Sequence, residues 1–418
     1  MTVETNADAV VIGAGPAGAS TAILLASAGW RVVLAEQHSY PRHKVCGECI
    51  GAGGIGLLDE LGVGAAFRRI AGPELRQIGW MSCTATIVAQ MPPCTVGAYR
   101  FGRALGRDQL DALLLDRARE VGVTILQPAK VRAVRGEPGR FVCEIVAVAA
   151  GTPAGTGEPG ATRLLRAPVV VDAHGSWEKG LKVTAGGVVE VPRTPRRSSD
   201  LFAFKASFRG AALAPGVLPV IAFDRGYGGI VVSDNARTVL ACCIRRDALQ
   251  ACRALTPGAS VGEAIETHLR HICPGIREAL DHAHRIGPWL AVGPVTPGIH
   301  LGAGRGLFRV GNAAGETHPL IGEGIGMAMQ SAVLLANNLT QQAVGKIDAH
   351  RANDLQRSYA AAWHSEFAPR LLLANAYAHL AMRPRFAATT RTLLNRWPML
   401  LTGAARLAGK ARPAVLPI

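Results

Sequence analysis

The sequence predicts an α/β fold in which a nucleotide-binding domain is interleaved with a mainly antiparallel β-sheet domain and followed by a helical C-terminal region. Three observations lead to this prediction: an apolar run before a glycine-rich turn near the N-terminus, a series of strand-like segments in the middle, and a return after residue 300 to a strand, a glycine-rich bend and a long helix. The predicted divisions are 1–70, 105–180 and 300–345 for the nucleotide-binding domain, 71–104 and 181–299 for the sheet domain, and 346–418 for the helical region.

Residues 8–36 have the pattern of a Rossmann-type dinucleotide-binding unit. An apolar run predicts a buried strand at 9–12, and the G-x-G-x-x-G motif of Gly13, Gly15 and Gly18 follows it. The first glycine permits a tight turn, the second lets the backbone approach a pyrophosphate, and the third lets helix and strand pack closely. The helix that begins here offers N–H groups and the positive end of its dipole to the phosphates.

Glu36 ends the second strand of this unit, where an acidic side chain accepts hydrogen bonds from a ribose diol. A glycine triplet alone is weak evidence, because glycine-rich turns often only join two elements. Here strand, turn, helix, second strand and acid all agree, so the sequence predicts a bound adenine dinucleotide. No second unit of this kind appears, which argues against an architecture with two dinucleotide-binding domains.

Composition limits the class of protein. The 418 residues are enough for two structural lobes, and a content of 49% hydrophobic residues is typical of a globular protein. The net charge of +15 fits an acidic substrate, an acidic protein partner, an anionic membrane surface or simply a solvated basic surface. The basic residues are scattered and are not interleaved with aromatic residues, so nucleic acid is not predicted as a partner.

Cysteine usage and the N-terminus indicate the compartment. Nine cysteines, an odd number, favour reduced thiols and a cytoplasmic location. Cys46 and Cys49 form C-x-x-C, but no second pair with zinc-like spacing follows, so no metal is predicted. We expect no leader and no transmembrane segment, while peripheral membrane contact through the basic C-terminal tail stays an alternative to packing of that tail on the second lobe.

Three further segments of the nucleotide-binding domain carry candidate residues. The glycine-rich loop that contains Arg42, Cys46 and Glu48 is either a cofactor-binding loop or a solvated basic loop. The segment 105–122 predicts an amphipathic helix with Asp108 as its N-cap and Arg107 at its entrance. Between the strands that follow, the Gly/Pro-rich stretch 151–162 predicts a hairpin tip.

Three separated motifs coincide: GAGPAG with Glu36, VVVDAHG at 169–175, and GNAAGETHPLIGEGI at 311–325. Together they resemble the FAD-dependent monooxygenase and oxidoreductase family typified by p-hydroxybenzoate hydroxylase, with a nearer likeness to its geranylgeranyl-reductase-like and halogenase-like branches. The resemblance covers the chain to about residue 340. It implies that FAD is the cofactor and that NADH or NADPH is a transient electron donor.

The resemblance also implies site residues. The family usually has Gly-Asp where this chain has Asn312, whose amide still donates and accepts hydrogen bonds. Arg42 and Arg107 would meet the pyrophosphate or the ribityl chain, Val131 would line the adenine pocket, and the start of the helix at 324 would stabilise negative charge on reduced flavin. The complete set of expected cofactor-binding residues is Gly13, Gly15, Pro16, Ala17, Gly18, Glu36, Gln37, Arg42, Cys46, Gly47, Arg107, Val131, Asp172, Gly175, Asn312, Pro319, Gly322, Gly324 and Ile325.

The reaction implied by the resemblance is hydroxylation of an electron-rich aromatic, indole or phenol substrate through a flavin C4a-hydroperoxide. Glu48 and His318 are the candidate catalytic residues that would deprotonate such a substrate. Each also has a structural interpretation, as a helix cap for Glu48 and a loop hydrogen bond for His318. Cys46 is better explained by packing.

Four alternatives remain at this stage. They are a reductase of isoprenoid double bonds, a flavin-dependent halogenase, a hydroxylase of a tryptophan in an acidic partner polypeptide, and a non-enzymatic FAD-binding scaffold. The tryptophan-halogenase signature W-x-W-x-I-P is absent from the sequence, which disfavours the halogenase. The net charge is the feature that would suit an acidic protein substrate.

Overall fold

The computed structural model describes residues 4–83, 85–148, 162–176, 181–184, 187–190, 197–301, 307–342, 347–383, 390 and 392–413. All elements and contacts below belong to these residues. The helices are α1 Pro16–Ser27, α2 Ala52–Glu60, α3 Gly64–Ile70, α4 Arg107–Glu120, α5 Arg246–Leu255, α6 Val261–Ile272, α7 Pro274–Leu280, α8 Gly324–Thr340, α9 Ala349–Ala381 and α10 Met399–Leu407.

The strands are β1 Glu4–Asn6, β2 Ala9–Ile12, β3 Val32–Ala35, β4 Cys49–Ile50, β5 Gln77–Met81, β6 Thr86–Gln90, β7 Arg103–Ala104, β8 Thr124–Leu126, β9 Ala129–Arg135, β10 Phe141–Ala147, β11 Thr162–Ala167, β12 Val169–Asp172, β13 Leu181–Thr184, β14 Gly187–Glu190, β15 Leu201–Arg209, β16 Val217–Phe223, β17 Gly226–Val232, β18 Thr238–Arg245, β19 His284–Val295, β20 Gly298–Ile299, β21 Phe308–Arg309 and β22 Gly315–Glu316.

A five-stranded parallel sheet forms the centre of the first lobe, with strand order β21-β12-β2-β3-β8. Val10 and Val11 of β2 have no exposed surface, as expected for a central strand covered on both faces. Helix α1 packs against α4 and α8. The carboxyl ends of β2 and β12 therefore meet beside the start of α1, which is where ligands bind in open parallel sheets.

A second, four-stranded sheet has the order β1-β11-β10-β9 and borders the first one. Strands β10 and β11 pair antiparallel, with Phe141 opposite Ala167. The predicted hairpin tip at 151–162 falls outside the described residues except for its last position.

The third layer is a seven-stranded sheet with the order β19-β15-β18-β17-β16-β5-β6. Every neighbouring pair is antiparallel except β16 and β5. Strands β5 and β6 come from the segment before α4 and the others from the middle of the chain. The predicted α/β fold, with a parallel sheet and a mainly antiparallel sheet interleaved in sequence, is therefore confirmed.

The C-terminal helices close one face of this sheet. Helix α10 packs on β5 and β6, where Leu401 and Ala405 join Ile78 and Trp80 in a buried apolar cluster. No helix among the described residues is long and apolar enough to cross a membrane.

One predicted helix boundary is wrong. Helix α4 begins at Arg107 and its N-cap is Gly106, whereas Asp108 lies inside the first turn. The backbone N–H of Gly106 donates instead to Asp234 Oδ1, which is 2.8 Å away. The acceptor of this hydrogen bond is thus a residue 128 positions away in the sequence. A local sequence pattern cannot reveal such a long-range partner.

Candidate functional site

A cleft of about 390 Å³ runs between the two lobes. The turn at the start of α1, the loop 44–49 and the start of α8 form one end of it. The other end lies between the seven-stranded sheet and the C-terminal helices, where apolar side chains dominate. Candidate residues that line the cleft are Gly15, Pro16, Ala17, Cys46, Gly47, Glu48, Arg107, Gly175, Asn312, Pro319, Gly322, Gly324 and Ile325.

The glycine triplet has the geometry that its spacing predicts. Gly13 has a φ of +98°, which side chains other than hydrogen rarely allow, and a Cβ on Gly18 would stand 1.8 Å from the carbonyl oxygen of Gly13. A Cβ on Gly15 would meet only Arg107 Nη2, at 3.6 Å. Gly13 and Gly18 therefore shape the turn, while the backbone at Gly15 is open to the cleft.

Glu36 is buried beside this turn. Its Oε2 accepts from the backbone N–H of Ala14 at 2.9 Å, and its Oε1 accepts from the backbone N–H of His38 at 2.9 Å. Arg42 Nη2 lies 3.7 Å from Glu36 Oε1. Two backbone donors thus hold the carboxylate in place at the end of β3, as a ribose-binding acid requires.

Arg107 is buried at the start of α4 and lines the cleft. Its Nε and Nη2 each donate to an oxygen of Asp111 at 2.7 Å, which is a bidentate ion pair one turn along the helix. Burial alone lowers the pKa of Arg107, but the charge and hydrogen bonds of Asp111 outweigh it and raise that pKa. The chain therefore keeps a fixed positive charge beside the phosphate-binding turn.

The start of α8 faces the same cleft. Gly322 has a φ of +59°, and the following residues present the N-terminal N–H groups of a 17-residue helix. Lys410, from beyond α10, places Nζ 3.0 Å from the carbonyl oxygen of Gly322 and 3.0 Å from Glu323 Oε1. The sequence alone did not reveal this lysine, which comes from the opposite end of the chain.

Glu48 lies at the centre of a buried charge cluster. Its side chain has no exposed surface and forms an ion pair with Lys205, which is 2% exposed. Glu48 Oε2 also accepts from Ser233 Oγ at 3.2 Å and lies 3.5 Å from Arg237 Nη2. Both carboxylate oxygens thus have partners on the seven-stranded sheet. A sequence signal for Lys205 existed, because it is a lone charge within the apolar run LFAFKASF.

His318 lies behind the cleft wall. Its Nδ1 is 2.7 Å from Oη of Tyr227, and Tyr227 does line the cleft. The centre of the His318 ring lies 6.1 Å from the centre of the His379 ring, in an edge-to-face arrangement. Burial, with a smaller contribution from His379, lowers the pKa of His318 to about 4. The ring is therefore neutral near pH 7, and its low pKa makes it a weak base. It forms a hydrogen bond with Tyr227.

The remaining candidates do not line the cleft. Asp172 is fully buried, with Oδ1 2.5 Å from His174 Nδ1. Gln37 contacts His38, and Val131 lies in the apolar core beside Val33. The role predicted for Val131 in the adenine pocket, like the roles of the other cofactor-binding candidates, stays a prediction.

The arrangement fits FAD. A glycine turn that lines the cleft beside a buried guanidinium matches a pyrophosphate, and the fixed Glu36 matches a ribose. The start of α8 matches the edge of a flavin ring that carries negative charge when the flavin is reduced. Residues 6–175 match the family described as "FAD binding domain". These residues form an FAD-binding domain of that family. FAD is its cofactor, and the flavoprotein is an oxidoreductase.

Comparison with known proteins places the flavoprotein among relatives with different reactions. It is 26% identical to menaquinone reductase of Mycobacterium tuberculosis over 415 residues, which is 97% of this chain and 92% of that protein. It is 24% identical to 6-methylpretetramide 4-monooxygenase of Streptomyces rimosus, over 96% of this chain and 92% of that protein. The structure of the myxobacterial chondrochloren halogenase CndH has the same fold, with a TM-score of 0.70, 21% identity and coverage of 96% and 91% of the two chains.

Replacing His318 should change the acid stability of the flavoprotein. As pH falls from 6.5 to about 4, the unfolded chain gains a proton that folded His318 does not, so folding stability is lost in this window. The loss is about 3 kcal/mol by pH 4. We expect His318→Gln to flatten this part of a plot of unfolding free energy against pH. His282→Gln, at a 91% exposed side chain, is the control. An unchanged slope in His318→Gln would contradict the assignment.

Replacing Lys410 should change the reduction potential of bound FAD. Lys410→Met removes a buried positive charge and leaves Glu323 without this partner at the start of α8. Because reduced flavin is anionic, we expect a more negative midpoint potential and about tenfold weaker binding of sulfite to oxidised flavin. Titration of the holoenzyme measures both without turnover. Lys410→Arg keeps the charge and should behave like the wild type, and equal potentials in all three proteins would show that Lys410 does not act on the flavin.

Proposed function

We propose that this flavoprotein is a single-component monooxygenase that uses NADH or NADPH and O2 to hydroxylate an electron-rich aromatic ring carrying a large apolar substituent. The observation that carries this proposal is the continuity of the cleft. The same cavity joins the cofactor-binding turn, the loop with Glu48, and an apolar region between the sheet and the C-terminal helices.

The apolar region supports a substrate with a long or bulky hydrocarbon part. Its walls are formed by side chains from β5 and β16 on one side and from the C-terminal helices on the other. These side chains are Ile78, Trp80, Leu218, Val220, Leu394, Leu401 and Ala405. Each methylene group buried here contributes about 0.8 kcal/mol, so a long substituent supplies most of the binding free energy.

Three polar side chains that line the cavity, Cys49, Cys243 and Tyr227, are uncharged. Burial raises the pKa of the Cys49 and Cys243 thiols to about 12, so both stay protonated. Tyr227 is also neutral, because burial raises the pKa of its hydroxyl well above 10. With His318 as its partner, Tyr227 is positioned to orient a substrate hydroxyl.

Bound FAD supplies electron transfer from a nicotinamide and activation of O2. The protein contributes a water-excluding wall, the fixed Arg107, and the paired Tyr227 and His318. The buried Glu48, held by Lys205 and Arg237, orders the loop 44–49 at the cofactor end of the cavity. We propose positioning roles for Glu48 and His318, because one has two cationic partners and the other is a weak base.

The experiment uses two phenols that differ in their apolar part, orcinol and pentadecylresorcinol. The holoenzyme is mixed with NADH or NADPH and ¹⁸O2, and the products are analysed by mass spectrometry. We expect one ¹⁸O atom in the pentadecylresorcinol product and a much lower KM than for orcinol. Reduction of FAD with oxygen consumption but no labelled product from either phenol would count against hydroxylation of this substrate class.

A second candidate is the hydrogenation of an isoprenoid double bond. The likeness to menaquinone reductase extends over 97% of this chain, and an apolar cavity suits such a substrate equally well. Anaerobic incubation with menaquinone and reduced FAD separates the two reactions. A product that still carries two additional hydrogen atoms in its isoprenoid chain after the quinone ring has been reoxidised in air would favour the reductase over the monooxygenase.

A further inference from the structure

The short helical segment 392–396 and helix α10 expose an apolar surface. Five large side chains between residues 393 and 407 form this tail surface: Leu393 (43% exposed), Trp397 (47%), Met399 (72%), Leu400 (46%) and Leu407 (64%). The other large exposed hydrophobic side chains among the described residues are scattered along the chain. A concentration of this kind marks an interaction site.

Helix α10 is two-sided. Leu401 and Ala405, one turn apart, are buried on the sheet, whereas Leu400 and Leu407, two turns apart, lie on the outer side. Trp397 precedes the helix, and the guanidinium of Arg396 lies 5.6 Å from the centre of its ring. An amphipathic helix with a flanking tryptophan and arginine is the arrangement that lies in a membrane interface.

The charge around the tail surface favours an anionic partner. Glu366 is the last acidic residue of the sequence, and the 52 residues after it contain seven arginines and one lysine. Arg396 and Arg406 are exposed beside the apolar side chains. Basic residues at a membrane surface are attracted to anionic lipid headgroups, so an anionic bilayer is complementary in both charge and hydrophobicity.

The tail surface is continuous with the cleft. Leu400 lines the cavity and is also 46% exposed, so it stands at the opening. Leu401, Ala404, Ala405 and Ala408 continue from it along the inner wall. An apolar molecule could therefore pass from a bilayer that contacts the tail surface into the cavity without crossing water.

We propose that the tail surface docks on anionic bilayers and that the cavity opens there toward the acyl chains. Docking follows from the exposed apolar side chains and the charge. Entry of a lipid-like substrate by this route rests on the proposed function as well. Helix α10 would lie in the plane of the interface with its outer side chains among the lipids.

The test of docking is co-sedimentation of the full-length holoenzyme with vesicles. We expect strong binding to vesicles that contain phosphatidylglycerol, weak binding to pure phosphatidylcholine, and weakening by salt. The variant Met399→Ser/Leu407→Ser should bind phosphatidylglycerol vesicles about tenfold more weakly, because it removes two inserted side chains. Leu255→Ser is the matched control, since Leu255 is 78% exposed on α5 and lies outside the tail surface.

Flavin content and thermal unfolding of each variant are measured first, so that a folding defect is not mistaken for lost docking. Arg396→Gln/Arg406→Gln tests the charge alone and should remove the preference for phosphatidylglycerol. Absence of vesicle binding at low salt, or equal binding by the double serine variant and Leu255→Ser, would overturn the proposal. Self-association through the tail surface without vesicle binding would also overturn it. None of these measurements needs substrate, so a failure of the proposed hydroxylation does not affect them.

Discussion

Gly18→Ala is expected to weaken FAD binding strongly. The added Cβ would stand 1.8 Å from the carbonyl oxygen of Gly13 and 3.0 Å from Ala173 Cβ, so the start of α1 must move away from β2 and β12. Overpacking of this kind costs about 3 kcal/mol. If the whole cost falls on the phosphate-binding turn, FAD affinity drops by on the order of a hundredfold. Absorbance of the purified protein and titration of apoprotein with FAD measure this loss.

Gly56→Ala is the matched control for this change. Gly56 also lies in a helix, α2, but an added Cβ there meets nothing within 4 Å. Alanine in a helix is more stable than glycine by about 0.5–1 kcal/mol, so this variant should keep FAD and unfold at a slightly higher temperature. Equal FAD affinity in Gly18→Ala and Gly56→Ala would show that close packing at Gly18 is not needed for the site.

Glu48→Gln is expected to destabilise the flavoprotein by about 3–5 kcal/mol, because it leaves Lys205 buried beside a neutral amide. Lys205→Met should have a smaller effect, because Glu48 keeps Ser233 and Arg237 as partners. Replacing a whole buried ion pair by uncharged groups is often neutral, so Glu48→Gln/Lys205→Met should recover most of the stability. Chemical denaturation of the four proteins in a double-mutant cycle gives the coupling free energy.

The same cycle separates a catalytic role of Glu48 from a positioning role. If Glu48 positions the loop, the double variant recovers kcat along with stability. If Glu48 moves a proton, the double variant is stable but inactive, and the pH dependence of kcat loses an ionisation. A coupling free energy near zero would contradict the buried ion pair itself.

The cofactor half of the site could be predicted because its parts are adjacent in sequence. Gly13, Gly15 and Gly18 fall within one turn of chain, and Glu36 ends the next strand. A glycine at each of these positions has a backbone or packing reason that needs no distant partner. Arg107 could be placed because the entrance of a helix is visible in the hydrophobic pattern, although its buried partner Asp111 was not anticipated.

The substrate half could not be predicted in the same way. Glu48 meets Lys205 across 157 positions and Arg237 across 189, and Tyr227 meets His318 across 91. Which strands become neighbours in the seven-stranded sheet decides these pairs, and hydrophobic alternation is the same for many strand orders. The low pKa of His318 likewise depends on burial and on His379, which lies in α9.

The sequence by itself determined the α/β fold, the Rossmann-type unit and FAD, because a strand, a glycine turn, a helix and an acid act through local backbone geometry. Only the tertiary structure decided what surrounds the flavin. It brought Lys410 to the start of α8, enclosed an apolar cavity under α10, and left Trp397 and Met399 outside. These features arise from packing between segments far apart in the sequence, 88 positions for Lys410 and Gly322 and 312 for α10 and β6. Burial and charge pairing become defined only when those segments meet.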